Sequence, residues 1–282
     1  MADKNVASGK EWGSLFRDRQ YYPKEMTMYQ DETIKLLRNE FTQRLLADCG
    51  LEKGMRVLDV GCGSGDVGIM VAEMVGDSGE VVGFDISEDA LSIARNAARK
   101  KHIPIVRFIQ ADISELPKNI GAFDAIIGRR VLMYQNDPAQ SIDCLLPYLK
   151  ANGKIIFQES DCMAASFHVD SMPLHAKVQN WTWGTVAKEG GNIHIGRQLY
   201  SLMKNAKLNI LLTRAEAILH TSESGSDFGQ VAKMMGPRMI SQGVVTAEEI
   251  STSTLEDRLQ LELSGSDTPF IRDMAFGICA KK

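Results

Sequence analysis

Val57-Leu58-Asp59-Val60-Gly61-Cys62-Gly63-Ser64-Gly65 decides how this chain reads. A strand-like run, Met55 to Val60, enters it, and a helix-like run leaves it from Ser64 onward. Three alternate glycines let the backbone bend sharply and approach a ligand closely, because no Cβ stands in the way. A helix opening just after them offers unpaired N–H groups and a partial positive charge. Asp59, two residues before the first glycine, would repel a phosphate; it suits a ligand carrying an ammonium or sulfonium group.

Outward from this loop, residues 55–160 alternate strands and helices. Val67, Met70, Val71 and Met74 recur at helical spacing, and Glu80 to Phe84 forms a second strand ending at Asp85. Ser87 caps the next helix, with acids in its first turn and Arg99, Lys100 and Lys101 at its end. Ile105 to Ile109 and Phe123 to Gly128 are the third and fourth strands. Asp137 and Pro138 open a helix with an apolar face of Ile142, Leu145, Leu146 and Leu149. Asn152-Gly153 turns into a fifth strand, Lys154 to Gln158. Repeated βα units of this length imply a parallel sheet with helices on both faces.

The flanks differ from this rhythm. Residues 1–50 are expected to form a helical cover segment, with an apolar stripe of Ile34, Leu37, Phe41, Leu45 and Leu46. Residues 51–160 form the ligand-binding core, and 161–195 an insertion carrying His168, His175, Trp181, Trp183 and His194. Residues 196–282 return to the core, with a helix near 196–206, an extended run from Leu208 to Leu219 and a last strand from Ala275 to Ala280. A second, polar insertion at about 221–268 interrupts them. The two insertions are expected to build a lid.

A net charge of −4 disfavours a general nucleic-acid binder. Cys49, Cys62, Cys144, Cys162 and Cys279 are odd in number and scattered, which reads as a reduced, cytoplasmic protein. The five histidines lack HxxxH or HExxH spacing, so no metal site is expected. No stretch reads as a signal peptide or membrane span.

In an open parallel sheet ligands bind beyond the carboxyl ends of the strands. The glycine loop, Asp85, Asp112, and Gly128 with Arg129 fall there, at or just beyond the ends of four successive strands. Asp85 can accept both hydroxyls of a ribose, and Asp112 an exocyclic amine of adenine. Ile86 and Ile113 can hold a flat base between apolar groups, while Asp59 and the loop backbone face an amino-acid moiety. Together they describe adenosine joined to an amino acid, without phosphate.

On VLDVGCGSG (57–65), VVGFDIS (81–87), QADI (110–113), FDAIIGRRVLMY (123–134) and GKIIFQE (153–159), the chain resembles the class I S-adenosylmethionine-dependent methyltransferases, in their small-molecule, UbiE-like branch. The resemblance covers about residues 30–220. It implies a Rossmann-like, doubly wound α/β fold with a mostly parallel seven-stranded sheet, S-adenosyl-L-methionine as cofactor and S-adenosyl-L-homocysteine as product. By it, Gly61, Gly63 and Gly65 approach the methionine part. Asp85 binds ribose, Asp112 and Ile113 bind adenine, and Gly128, Arg129 and Met133 lie beside the cofactor. Cys62 fills space in the loop. Tyr21, Tyr22, Met26 and Tyr29 would close the site from the amino-terminal side. A dinucleotide-binding dehydrogenase is disfavoured, because its fingerprint wants glycine where Asp66 stands.

An acceptor hydroxyl or ammonium must lose a proton, which invites a base. Glu159, at the end of the fifth strand, is the best placed, with His194 a second candidate. Tyr134, His168, Trp181 and Trp183 are candidates for the acceptor pocket. Fourteen methionines and the lid aromatics favour an apolar or aromatic small molecule. An RNA or protein methylase, or a cofactor fold repurposed for a cyclisation, are the alternatives. A homo-oligomer is compatible with the sequence.

Overall fold

The computed structural model describes residues 32–163, 172–250 and 252–282. Tyr21, Tyr22, Met26, Tyr29 and His168, named above as candidates, lie outside the described residues.

The elements run α1 (Glu32–Asp48), β1 (Arg56–Val60), α2 (Asp66–Val75), β2 (Glu80–Asp85), α3 (Glu88–Lys100), β3 (Val106–Gln110), β4 (Phe123–Arg129), α4 (Pro138–Leu145) and β5 (Leu149–Asp161). They continue α5 (Pro173–Lys188), α6 (Leu199–Asn205), β6 (Asn209–His220), α7 (Phe228–Ser241), α8 (Thr252–Ser264) and β7 (Phe270–Lys281). One seven-stranded sheet has the order β3-β2-β1-β4-β5-β7-β6. β1 to β5 pair in parallel, and β7 is antiparallel to both β5 and β6. This is the Rossmann-like, mostly parallel sheet that the sequence led us to expect.

The strands read as near-continuous apolar runs because both sheet faces are covered. On one face Phe41, Leu45 and Leu46 of α1 join Val67, Met70 and Val71 of α2 over Val57, Val81, Ala125, Ile127 and Ile156. On the other, Ile142 and Leu145 of α4 and Leu199 and Met203 of α6 lie in one core with Leu58, Val82, Ile126 and Phe157. Local signals start the helices as expected. Ser87 Oγ accepts from Ala90 N at 3.3 Å, and Asp137 caps α4 by accepting from Gln140 N at 2.9 Å.

Two strands are longer than their sequences suggested. β5 and β7 pair continuously from Lys154↔Lys281 to Asp161↔Met274, so each extends the other beyond the apolar run that marks it. The expected turn at Asn152 survives as an irregularity inside β5, where Asn152 takes φ 66°. The two insertions come together: Val178 and Trp181 of α5, Val231 and Met235 of α7 and Leu255 and Leu259 of α8 share one core. They form a helical cap beside the carboxyl end of the sheet. Among the described residues no helix is long and apolar enough to cross a membrane. All five cysteines are unbridged.

Candidate functional site

The glycine loop is shaped by backbone geometry and by crowding. Gly61, Gly63 and Gly65 take φ of 59°, 52° and 84°, the left-handed region that strains other residues. A Cβ on Gly61 would lie 2.9 Å from Val131 Cγ2, and one on Gly65 would lie 2.8 Å from Ala94 Cβ. The loop is tied to the next strand: Cys62 N donates to Phe84 O and Gly63 N to Asp85 Oδ2, each at 2.9 Å. Asp85 Oδ1 accepts from Ser87 N at 2.9 Å. The carboxylate expected to hold a ribose therefore also braces the loop and the start of α3.

Asp59 lies beneath the loop, 1% exposed. A Cβ on Gly68 would lie 3.0 Å from Asp59 Oδ2, so this glycine makes room for the acid under α2. Burial pushes the Asp59 pKa up to about 7 against the opposing pull of Arg129 and of a hydrogen bond from the Gly68 backbone. A buried acid beside three left-handed glycines suits a cationic group better than a phosphate. Cys62 is 8% exposed, and its Sγ would be 3.0 Å from a Cβ on Gly83; it fills space, as expected.

Ile86 is 42% exposed, leaving an apolar surface beside Asp85. Asp112 is exposed, and its Oδ1 accepts from Ser114 N at 2.8 Å and Ser114 Oγ at 2.6 Å. Ile113 packs half-buried against the main core. Gly128 is required by packing: a Cβ there would lie 2.4 Å from the Phe157 ring. Arg129 Nη1 donates to Asn39 Oδ1 at 2.8 Å and Thr42 Oγ1 at 3.3 Å, joining α1 to the end of β4. Thr42 Oγ1 in turn donates to Gln158 Oε1 at 2.7 Å. Met133 is buried, and its carbonyl accepts from Asn192 N at 2.7 Å.

Glu159, the candidate base, faces the interior of the protein. It is fully buried, and Oε1 accepts from Val131 N at 2.9 Å and Leu132 N at 2.8 Å. Burial raises its pKa to about 7, with these amides pulling the other way. Its carboxylate holds the 131–134 turn, whose Val131 packs on Gly61. Glu159 is thus linked to the glycine loop through Val131.

His194 stands beside Asp161, the last residue of the same strand. Its Nδ1 lies 3.3 Å from Asp161 Oδ1 and 3.5 Å from Cys162 Sγ. Asp161, Cys162 and His194 bring three potential metal-ligand atoms within 4.8 Å of one another, a grouping that sequence spacing could not reveal. Asp161 is already held by Met163 N at 3.0 Å and lies 3.6 Å from Arg197 Nε, a cation that competes with any metal.

Trp181 and Trp183, expected in an acceptor pocket, are each 7% exposed within the core that the cap shares. Tyr134 reaches the cap, where it and Glu189 raise the pKa of Arg238 above its ordinary value. His175 is buried, its Nδ1 2.7 Å from Glu262 Oε2, and that carboxylate also accepts from Leu174 N and His175 N at the start of α5.

Sequence reasoning missed a cleft beyond β4 to β7. Arg130, Ser160, His220, Ser226, Asp227, Arg272 and Asp273 line it together with Arg129 and Gln158. His220 Nε2 lies 3.1 Å from Asp227 Oδ1, and its Nδ1 lies 3.1 Å from Ser226 Oγ. Arg272 Nε donates to Asp227 Oδ1 at 2.7 Å, and Arg272 Nη1 to Asp273. Arg129, Arg130 and Gln158 lie in runs that carried a sequence signal; the others converge from the end of β5, the end of β6, the segment before α7 and the start of β7.

Comparison with known proteins bears on the whole arrangement. The model of a family described as a methyltransferase domain matches residues 51–207, more than half of the chain. A curated relative, the ubiquinone/menaquinone biosynthesis C-methyltransferase UbiE of Idiomarina loihiensis (strain ATCC BAA-735 / DSM 15497 / L2-TR), is 35% identical over 119 residues, 42% of this chain and 47% of that protein. The match thus spans about half the length of that relative. Among solved structures, a SAM dependent methyltransferase from Aquifex aeolicus aligns with TM-score 0.50 and 14% identity, covering 98% of both chains. The [4+2]-cyclase SpnF aligns with TM-score 0.53 and 21% identity, covering 86% of this chain and 81% of that one. At such identities the two structures bear on the fold alone.

Proposed function

This chain belongs to the methyltransferase-domain family, and from that premise we propose that it transfers a methyl group from S-adenosylmethionine to a small molecule. The observation that carries the reading is the left-handed glycine loop beside the buried Asp59, braced by Asp85. When bound, S-adenosylmethionine supplies a methyl carbon already activated by its sulfonium. The chain's own task is to hold the acceptor in line with that carbon and to exclude water, which can provide most of the acceleration. Gly61, Gly63 and Gly65 would receive the amino-acid end, with Asp59 beneath. Asp85 and Ile86 would hold the ribose side, and Asp112 and Ile113 the adenine.

We further assign the helical cap, residues 173–188 and 228–264, to covering the acceptor, and residues 1–50 to covering the cofactor. The methionine-rich composition supports an acceptor with an apolar or aromatic body. The curated relative's name points to methylation at carbon, but only 47% of that protein is matched. The likeness to a cyclase of the same fold gives the alternative, a retained cofactor serving another reaction.

The test is binding followed by transfer. S-adenosylmethionine and S-adenosylhomocysteine should each raise the thermal midpoint, as any native-state ligand must. Stabilisation by NAD and by neither of these sinks the reading. Asp85→Ala removes the acceptor of the Gly63 loop amide and of the Ser87 amide at the start of α3, and should weaken S-adenosylhomocysteine binding by about tenfold or more, measured by calorimetric titration. Unchanged affinity would take Asp85 out of the site.

A further inference from the structure

The cleft beyond β4 to β7 adjoins the end of β4, where the cofactor is expected, and its charges do not cancel. Arg272 lies between Asp227 and Asp273 and bonds to both, so these two acids are already engaged. Glu159, behind the turn, gives its Oε1 to Val131 N and Leu132 N. Arg130 also lines the cleft, and its side chain makes no hydrogen bond or ion pair among the described residues. Its influence on Asp273 and Glu159 is only through space.

The backbone of Arg130 is unusual as well. It takes φ 55°, the left-handed region, and its N–H donates to Gln158 O at 2.8 Å. Glycine would sit there without strain, yet the chain carries a long cation. A strained residue kept at a cleft wall is a reason to ask what its side chain does. Ile218, Leu219 and Ala275 line the same cleft and give it apolar surface, and Leu219 is 41% exposed. A planar, permanently charged fork beside apolar surface matches a planar anion on an apolar body, because guanidinium and carboxylate can pair through two parallel hydrogen bonds.

We propose that this cleft is the acceptor site and that it takes a small carboxylic acid with an apolar or aromatic body, its carboxylate held by Arg130. The proposal rests on the methyl-transfer reading and deepens it by naming the class of acceptor. Arg130 sets the specificity for the acceptor.

The experiment titrates benzoate, benzamide and inorganic phosphate into the full chain saturated with S-adenosylhomocysteine, whose own binding is measured first. Benzoate should bind at least about tenfold more tightly than the isosteric, uncharged benzamide. Arg130→Gln and Arg130→Gly should each weaken benzoate about tenfold while leaving S-adenosylhomocysteine affinity unchanged; the glycine variant keeps the backbone conformation without the cation. Arg130→Lys should retain part of the preference. Equal binding of benzoate and benzamide, no benzoate binding to the loaded protein, or benzoate affinity indifferent to both substitutions overturns the proposal. Phosphate binding more tightly than benzoate overturns the carboxylate class. If S-adenosylhomocysteine does not bind, the parent reading fails; an Arg130-dependent preference for benzoate in the unloaded protein would then still identify the cleft as an anion site.

Discussion

The two ends of this sheet are built differently. Around β1, β2 and β3 the functional groups are tied by contacts close in sequence: Gly63 to Asp85 is 22 residues, Ser87 to Asp85 is two, and Ser114 to Asp112 is two. Around β5, β6, β7 and the cap the ties are long. Thr42 meets Gln158 across 116 residues, His175 meets Glu262 across 87, and Arg272 meets Asp227 across 45. The first end is a local device repeated at successive strand ends. The second exists only once distant segments have closed on each other, and such closure carries an entropic cost that packing must offset. On the proposed function, cofactor recognition would fall mainly to the local end and acceptor choice to the assembled end.

The strongest challenge to this division is Gly65→Val. A side chain there meets a left-handed φ and the Ala94 and Phe108 contacts at once, so about 3 kcal/mol of stability should go. S-adenosylhomocysteine affinity should fall by about two orders of magnitude, if the strain is concentrated in the loop. Urea unfolding and calorimetric titration would read the two effects. A variant that unfolds normally and binds normally would show that the loop does not need its glycines.

The joint between the two ends is Glu159, and pH probes it. Its carboxyl pKa is raised from 4.5 to about 7, so between these values the folded state holds a proton that the unfolded state releases. This contribution is present at low pH, declines as pH rises through about 7, and is level above it. Glu159→Gln keeps an oxygen for the Val131 and Leu132 amides and removes the titration. The stability of the variant relative to the parent should rise by up to about 3 kcal/mol between pH 5 and pH 8. A difference that stays constant over that range would mean that Glu159 is ionised throughout, with a partner at its Oε2.

A smaller effect should separate the cap from the cofactor. Glu262 holds two backbone amides at the start of α5, at 2.7 and 2.8 Å, and the His175 ring. Glu262→Ala should cost about 2 kcal/mol in chemical unfolding while S-adenosylhomocysteine affinity stays the same. Loss of cofactor affinity in this variant would show that the two ends are coupled more tightly than their contacts suggest.

Particular residues show what could be read in advance. The caps at Ser87 and Asp137 were legible because they act within three residues of themselves. Gly61 and Gly65 were legible as a sharp turn, although the packing partners Val131 and Ala94 were not. Asp59 was legible as an acid misplaced for phosphate, but its burial under α2 was not. Glu159 was read as a base from its position at a strand end. Strand position says which edge a residue occupies, and only the fold says whether the side chain meets solvent or the amides of a neighbouring turn. The lid aromatics misled in a similar way: Trp181 and Trp183 are half of a helical stripe whose other half, on α7 and α8, lies more than 40 residues downstream.

By itself, the sequence determined the βα rhythm, the glycine loop and the acids beyond the next two strands, because turns, caps and apolar periodicity act over a few residues. The tertiary structure alone decided that β5 and β7 lengthen each other, that two insertions form one cap, and that Arg130 faces a cleft with Asp227, Arg272 and Asp273. Those outcomes depend on burial and on charges that become neighbours only when the sheet edge and the cap are in place.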